Sequence, residues 1–233
     1  MIFGPEQLFE SLRGLPAAQR YWVGFSGGLD SSVLLQALAR LRPRLGGELH
    51  AVHVNHHIHR DSGEWQAHCR AQCAALGVAL VCRDVQVVPA HGESLEAVAR
   101  ERRYHVYREL LEVSDLLLLA HHEDDQLETF FLQALRGAGV RGLAAMPRLA
   151  ACGAGQLARP LLGFTRAELR VWAEAQGFPW LEDPANTELR FDRNYLRAQV
   201  LPVLKVRWPA AAETVSRSAR HCAEAAELLA AQA

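Results

Sequence analysis

The seven residues Ser26, Gly27, Gly28, Leu29, Asp30, Ser31 and Ser32 have the types and the order needed to hold a phosphate. They follow an apolar, strand-like segment (Tyr21 to Phe25) and open a helix-like one (Val33 to Leu41). A strand that ends in glycines and turns into a helix offers unpaired backbone N–H groups and the positive end of the helix dipole to an anion. Glycine lets the backbone approach closely and adopt positive φ. The run has no counterpart of the lysine in the Walker pattern GxxxxGK[ST], which implies a different phosphate chemistry. The serines add hydroxyl donors, and Asp30 adds a carboxylate that is useful beside polyphosphate when it faces a metal ion or a substrate proton. The plainer reading is a helix capped by Ser26 or Asp30 after a glycine turn.

A second constellation is the acidic run from His121 to Thr129, directly after an apolar strand of leucines. Asp125 and Glu128 are three apart, which puts both carboxylates on one helical face. Paired carboxylates near a phosphate suggest Mg²⁺. Acids at a helix start are also favoured by the dipole alone. Six of the eleven histidines fall in two clusters, His53/His56/His57/His59 and His121/His122. Zinc has to be weighed, but neither cluster pairs with cysteines at finger-like spacing or forms HExxH. Some of these imidazoles are expected to line the nucleotide pocket and others to be satisfied by backbone. Arginines form three further groups. Arg136 and Arg141 stand among glycines after the acidic helix, as a cationic loop or a helix cap with its turn. Arg100, Arg102, Arg103 and Arg108 interleave with Tyr104 and Tyr107, on a solvated or RNA-facing helix face. Arg190, Arg193, Arg197 and Lys205 follow the acidic Glu182 and Asp183, so salt bridging is a structural alternative.

The elements that must position these groups are legible as alternating periods. Apolar runs of strand length recur at Tyr21–Phe25, Leu49–Val54, Ala79–Val85 and Leu116–Ala120, with a weaker one at Gln156–Leu161. Helical spacing occupies Ser31–Arg42, Gly63–Leu76 and Ser94–Glu112 between them. The expected fold is therefore α/β, a doubly wound, mostly parallel five-stranded sheet covered on both faces. Ligands bind such sheets beyond the carboxyl ends of the strands, where the glycine run, the His53–His59 segment and the His121–Glu128 segment all begin. After residue 164 a helix is expected over Thr165–Gln176, with Thr165 as N-cap and Glu168 completing a capping box. A mostly helical tail follows, broken by Pro202 and Pro209, with a last piece over Ala210–Ala233.

With 233 residues and a net charge of -1, the chain suits one α/β domain plus an appendage and carries no overall basic signal for nucleic acid. Five cysteines without a CxxC pair, in a chain without a signal peptide, fit a reduced cytoplasmic setting. No apolar run is long enough to span a bilayer.

Together the motifs resemble the N-terminal catalytic region of the tRNA(Ile)-lysidine synthetase family, ATP-pyrophosphatases of the PP-loop type. The matching stretches are SGGLDSS (26–32), HVNHHIHRDS (53–62), EAVARERRY (96–104), HHEDDQLETFFLQALRGAGVRGLAAM (121–146), RPLLGFTRAEL (159–169) and EDPANTELRFDRNYLR (182–197). The resemblance implies an adenine nucleotide alpha hydrolase-like, Rossmann-like sheet with a C-terminal helical extension. Residues 1–164 would form the ATP-binding catalytic domain and 165–233 the extension that completes the site. The family's C-terminal tRNA-binding domains would be absent. It implies that ATP adenylates the C2 carbonyl oxygen of a wobble cytidine, releasing diphosphate. The amine of free L-lysine then attacks C2 and expels AMP. The RNA is tRNA(Ile) with a CAU anticodon, and a homodimer is compatible with the resemblance.

Carried onto this chain, the catalytic set is Asp30, Asp125, Glu128 and Arg193, with Mg²⁺ on Asp30, Asp125 and Glu128. The nucleotide set is Ser26, Gly27, Gly28, Leu29, Asp30, Ser31, Ser32, His53, Asn55, His121 and Arg197. Arg100, Arg103, Arg136 and Arg141 are the RNA-contact candidates. Two other readings compete. A cytidine thiolase of the same superfamily would need cysteine pairs that are missing here. A non-catalytic nucleotide-binding module would gain nothing from carboxylates beside phosphate.

Overall fold

Alternation along the strands divides the apolar side chains between two cores. In the computed structural model, which describes residues 3–232 apart from the side chain of Asn186, β1 (Arg20–Gly24) sends Tyr21 and Val23 to one face and Trp22 to the other. β4 (Asp115–Leu118) does the same with Leu116 and Leu118 against Leu117. Residues buried on both faces are what a parallel sheet between two helix layers requires. The remaining strands are β2 (Glu48–Asn55), β3 (Ala79–Asp84), β5 (Leu149–Cys152) and β6 (Gly155–Ala158).

The order across the sheet is β3-β2-β1-β4-β6-β5. Neighbours from β3 to β6 are parallel, and β5 pairs antiparallel with β6. The sheet holds six strands where five were expected. The additional one is a four-residue edge strand joined to β6 by a tight turn at Gly153, whose φ is +61°. β1 and β4 are neighbours although β2 and β3 intervene in sequence, so the strand order reverses at the carboxyl ends of β1 and β4.

Helices α2 (Leu29–Leu45) and α3 (Ser62–Ala75) cover one face, joined there by α1 (Pro5–Leu12) and α7 (Arg166–Gln176). α4 (Leu95–Leu110) covers the other through Val106 and Tyr107. α7 packs into the main core through Leu169, Trp172 and Ala173, and Trp172 meets Phe3 edge-on at 5.4 Å. Next come α5 (Glu123–Leu135) and the single turn α6 (Val140–Leu143). The tail comprises a 3₁₀ turn (Pro184–Thr187), α8 (Asp192–Tyr195), a π turn (Leu196–Val200), α9 (Leu201–Arg207) and α10 (Ala211–Ala231). Pro202 falls in the first turn of α9, where a missing N–H is harmless, and Pro209 separates α9 from α10. Residue Ala233 of the expected last helix lies outside the described residues. Leu127 of α5, Leu201 of α9 and Ala212 of α10 form a small separate core that fixes the tail to the sheet's carboxyl edge.

The start of α7 is built as its sequence indicates. Thr165 N–H donates to Glu168 Oε2 at 2.8 Å, and Glu168 N–H donates to Thr165 Oγ1 at 3.3 Å. Because α7 is part of the core, replacing Thr165 by Ala is expected to cost about 1 kcal/mol of stability. Urea unfolding checks this: the midpoint falls while the slope stays unchanged.

Candidate active site

The turn after β1 is ordered by its own side chains. Ser31 Oγ accepts from Ser26 N–H at 3.3 Å and lies 3.1 Å from Ser26 Oγ, while Gly28 N–H donates to Ser26 Oγ at 3.3 Å. Gly27 has φ +82°, and a Cβ there would lie 2.9 Å from Cys69 Sγ, so the position requires glycine on two counts. Ser32 N–H bonds to Gly28 O at 3.0 Å, which leaves the N–H groups of Leu29 to Ser31 as the open first turn of α2. Leu181 N–H donates to Gly27 O at 2.9 Å, tying the stretch after α7 to this turn.

Facing it, α5 begins with a dense set of buried charges. His122 and Glu128 are each 1% exposed, and Asp124 and Asp125 are buried as well. His122 is the hub. Its Nε2 lies 3.7 Å from Asp30 Oδ2 and 3.4 Å from Asp125 Oδ2, and its Nδ1 lies 3.7 Å from Asp124 Oδ2. Its backbone N–H donates to Asp125 Oδ2 at 3.0 Å. Glu128 receives Arg197 at both oxygens, at 2.6 and 2.9 Å, in the bidentate fork that suits guanidinium and carboxylate. Arg197 also reaches Asp125 Oδ1 at 3.4 Å. Arg193 donates to Thr129 Oγ1 at 3.3 Å and lies within 3.8 Å of Asp125 and Glu128. Asp124 accepts the backbone N–H of Arg166 at 2.8 Å and pairs with Lys205.

The two principal carboxyls are pushed in opposite directions. Burial raises the Glu128 carboxyl, and Arg197 offsets this only in part. Burial also pushes Asp125 upward, but His122, His121 and Arg193 outweigh it and hold that carboxyl below its ordinary range. His121 is driven down to about 3, by burial first, against the pull of Asp125, and then by Arg159, Arg100 and Arg103. It is a neutral imidazole at physiological pH.

The structure brings Asp30, Asp125, Glu128, Arg193 and Arg197 to one edge with the 26–32 turn. His53 and Asn55 stand at the end of β2 but are engaged by the protein. His53 Nδ1 lies 2.9 Å from Phe25 O, and Asn55 bonds to Gln66 at 3.1 Å and to His57 N–H at 3.0 Å. Arg136 caps α5 and Arg141 lies on α6, both exposed and away from the acids. Arg100 and Arg103 lie on α4, within electrostatic reach of His121. The sequence does not single out Arg159 and Arg166, and it marks His122 and Lys205 only within the second histidine cluster and the third basic group, not as site members. Only the HxxD spacing of His122 and Asp125 was a usable signal, because the others act through contacts remote in sequence. Among the described residues no three His, Cys, Asp or Glu side chains assemble as a metal-holding group. A cleft of about 530 Å³ opens beside the site, lined by Glu123, Asp124, Glu128, Arg166, Arg197 and Lys205 among others.

Residues 5–204 match the family model described as a PP-loop domain. The chain is 45% identical over 228 residues to a protein of Coxiella burnetii named tRNA(Ile)-lysidine synthase, covering 98% of this chain and 51% of that one. It is 49% identical over 226 residues to a protein of the same name from Pseudomonas syringae pv. tomato, covering 97% and 50%. The chain thus spans about half the length of the curated relatives it matches. Among solved structures, a U34-tRNA thiolase from Methanococcus maripaludis superposes with a TM-score of 0.75 at 17% identity, covering 94% of this chain and 78% of that one. NMN synthetase from Francisella tularensis superposes with a TM-score of 0.51 at 13% identity, covering 94% and 96%. At these identities the likeness is one of fold.

Removing Arg197 leaves a buried carboxylate without its main partner. Arg197→Met is expected to cost about 3 kcal/mol, and Arg197→Met combined with Glu128→Leu to recover most of it, read as chemical-denaturation midpoints. His121 sets a pH dependence. Its unfolded pKa is near 6.5 and its folded value about 3, so between these the unfolded chain holds the extra proton and stability falls as pH drops. From pH 7 to 5 this amounts to about 2 kcal/mol, and His121→Asn is expected to flatten that part of the stability profile.

Proposed function

The chain belongs to the PP-loop domain family, and from that premise we propose that it joins lysine to C2 of the wobble cytidine of tRNA(Ile) bearing a CAU anticodon, through an adenylated cytidine. The observation that carries this reading is the Asp30/His122/Asp125 and Glu128/Arg197 cluster set against an open helix start, in a chain 45% identical to a relative named for that activity. ATP use follows from the family. Residues 1–164 serve as the nucleotide-binding unit, and 165–233 complete the site by carrying Arg193, Arg197 and Lys205 to the acids of α5.

In the first step the cytidine O2 attacks the α-phosphate and diphosphate leaves. The N–H groups of Leu29 to Ser31 and the hydroxyls of Ser26 and Ser31 are suited to charge that grows on the leaving group. Asp30 and Asp125 fit a Mg²⁺: one Asp30 oxygen is buried without a hydrogen bond, with Arg166 Nε 3.6 Å from it, and both carboxylates adjoin His122 Nε2. Phosphate and water would supply the other oxygens, since magnesium favours few protein ligands. Glu128 fits less well, because both of its oxygens are taken by Arg197. When bound, Mg²⁺ supplies charge neutralisation for the phosphates.

The second step needs a neutral amine. The two carboxyls divide the work by basicity: Asp125 stays ionised, and Glu128, raised by burial, is the better acceptor for the ammonium proton, through a lone pair left outside the Arg197 fork. The neighbouring cleft is the entry for lysine. Burial and then the charges of Asp124 and Glu213 raise the Glu123 carboxyl at its rim, a setting that an incoming ammonium relieves. Free amine attacks C2, AMP leaves with the bonding electrons, and the base carries lysidine.

Incubation of the protein with ATP, Mg²⁺, labelled lysine and CAU-anticodon tRNA is expected to place label in the RNA and release one diphosphate per transfer. Asp125→Asn is expected to slow RNA-dependent diphosphate release about a hundredfold, with nucleotide binding retained. Unchanged release would sink the catalytic assignment of Asp125.

A further inference from the structure

One group of cations on the α4 side of the sheet has no acid to answer it. Arg100 and Arg159 both donate through Nη2 to the hydroxyl oxygen of Tyr104, at 3.2 and 3.3 Å. The Arg100 guanidinium also lies 4.7 Å from the centre of that ring. Two positive groups thus converge on one neutral oxygen, and among the described residues neither they nor Arg103 has a carboxylate at ion-pair distance. Arg159 is 5% exposed, and its Nη1 is anchored on Pro147 O at 2.6 Å. Its Nε has no partner, and neither does the buried Nδ1 of His121.

Of the three arginines only Arg159 is buried, Arg103 is half-buried and Arg100 is exposed, so the group can be reached from solvent, and like charges brought this close favour a counter-charge that joins them. The groups around Arg100 come from three directions: Arg103 on its own helix, Arg159 after β6 and Arg193 on α8. Packing around the Arg100 guanidinium lowers it although the residue is exposed, and against the help of Tyr104 these three charges lower it further. The planar donor fork of a guanidinium matches phosphate oxygens in pairs, and Tyr104 holds two such forks at a fixed separation. The cluster is distinct from the turn at 26–32, since α4 covers the face of the sheet opposite α2.

We propose that Arg100, Arg103 and Arg159, gathered around Tyr104, form a phosphate subsite that takes the phosphodiester next to the reacting nucleotide of the RNA. It rests on the RNA-modifying reading above and adds a place for the backbone. The leaving diphosphate has the same chemistry and is the other source of phosphate at this position.

The test is a titration of fluorescent CAU anticodon stem-loop RNA into the protein without ATP or lysine, between 50 and 200 mM salt. Arg100→Gln is expected to weaken binding about fivefold to tenfold and to lower the slope of log affinity against log salt by about one contact, equally for an unrelated loop sequence. ATP affinity stays unchanged. Arg159→Gln should act in the same direction; because Arg159 is buried, Tyr104→Phe serves as a second, isosteric variant, expected to weaken RNA binding without unfolding. An unchanged salt slope in Arg100→Gln overturns the proposal. So does a loss of ATP or inorganic diphosphate binding with RNA affinity intact, which would place the leaving group at this cluster. Label transfer that fails while the slope falls as expected removes the lysine reading and leaves the subsite standing.

Discussion

The burial of three carboxyls on little more than one turn of α5 constrains everything around the sheet's carboxyl edge. Asp124, Asp125 and Glu128 are all less than a tenth exposed, and an unpaired carboxylate so placed costs several kcal/mol. The helix start helps, since its dipole favours negative charge. The rest of the cost is met from elsewhere in the chain: the first N–H of α7, Lys205 of α9, Arg193 of α8 and Arg197 of the π turn. The C-terminal helices are therefore not an addition to a finished domain. They carry the counter-charges without which α5 could not begin as it does.

The same arrangement separates charge by sign across a short distance. On one side of Asp125 the carboxylates Asp124 and Glu128 each have a cation, and on the other, around Tyr104, cations meet without carboxylates among the described residues. His121 sits at the seam as a neutral group, held down chiefly by its burial, with Asp125 and three arginines pulling in opposite senses. Such a boundary is suited to a reaction in which an anionic nucleotide and a polyanionic RNA must approach one another closely.

Most of the fold was legible because its strands and helices carry strong, distinct periods. The parallel strands β1 to β4 and the helix at Thr165 fall where the apolar pattern puts them. β5 was missed because Leu149–Cys152 is four residues with no alternation of its own, and it becomes a strand only by pairing with β6. In the candidate site, Asp125 and Glu128 were readable from helical spacing beside a strand end. Arg159, Arg166 and Lys205 were not, since each matters through a partner 42 to 81 positions away or through a tyrosine 55 away. His53 and Asn55 show the converse. The resemblance names them as nucleotide contacts, and in the structure His53 bonds to Phe25 O just after β1 and Asn55 to Gln66 of α3.

The π turn at Leu196–Val200 carries Arg197 and leads into α9, which carries Lys205, and each makes a separate ionic contact with α5. In a helix each residue advances the direction of its side chain by roughly 100°. A wide turn of this kind sets an angular offset, so that the two cations point at carboxylates one turn apart on a different helix. A residue gained or lost between positions 196 and 200 would be a rotation rather than a change of length. The tolerance of this stretch to insertion and deletion is therefore governed by helical phase, although only Leu196 in it is buried.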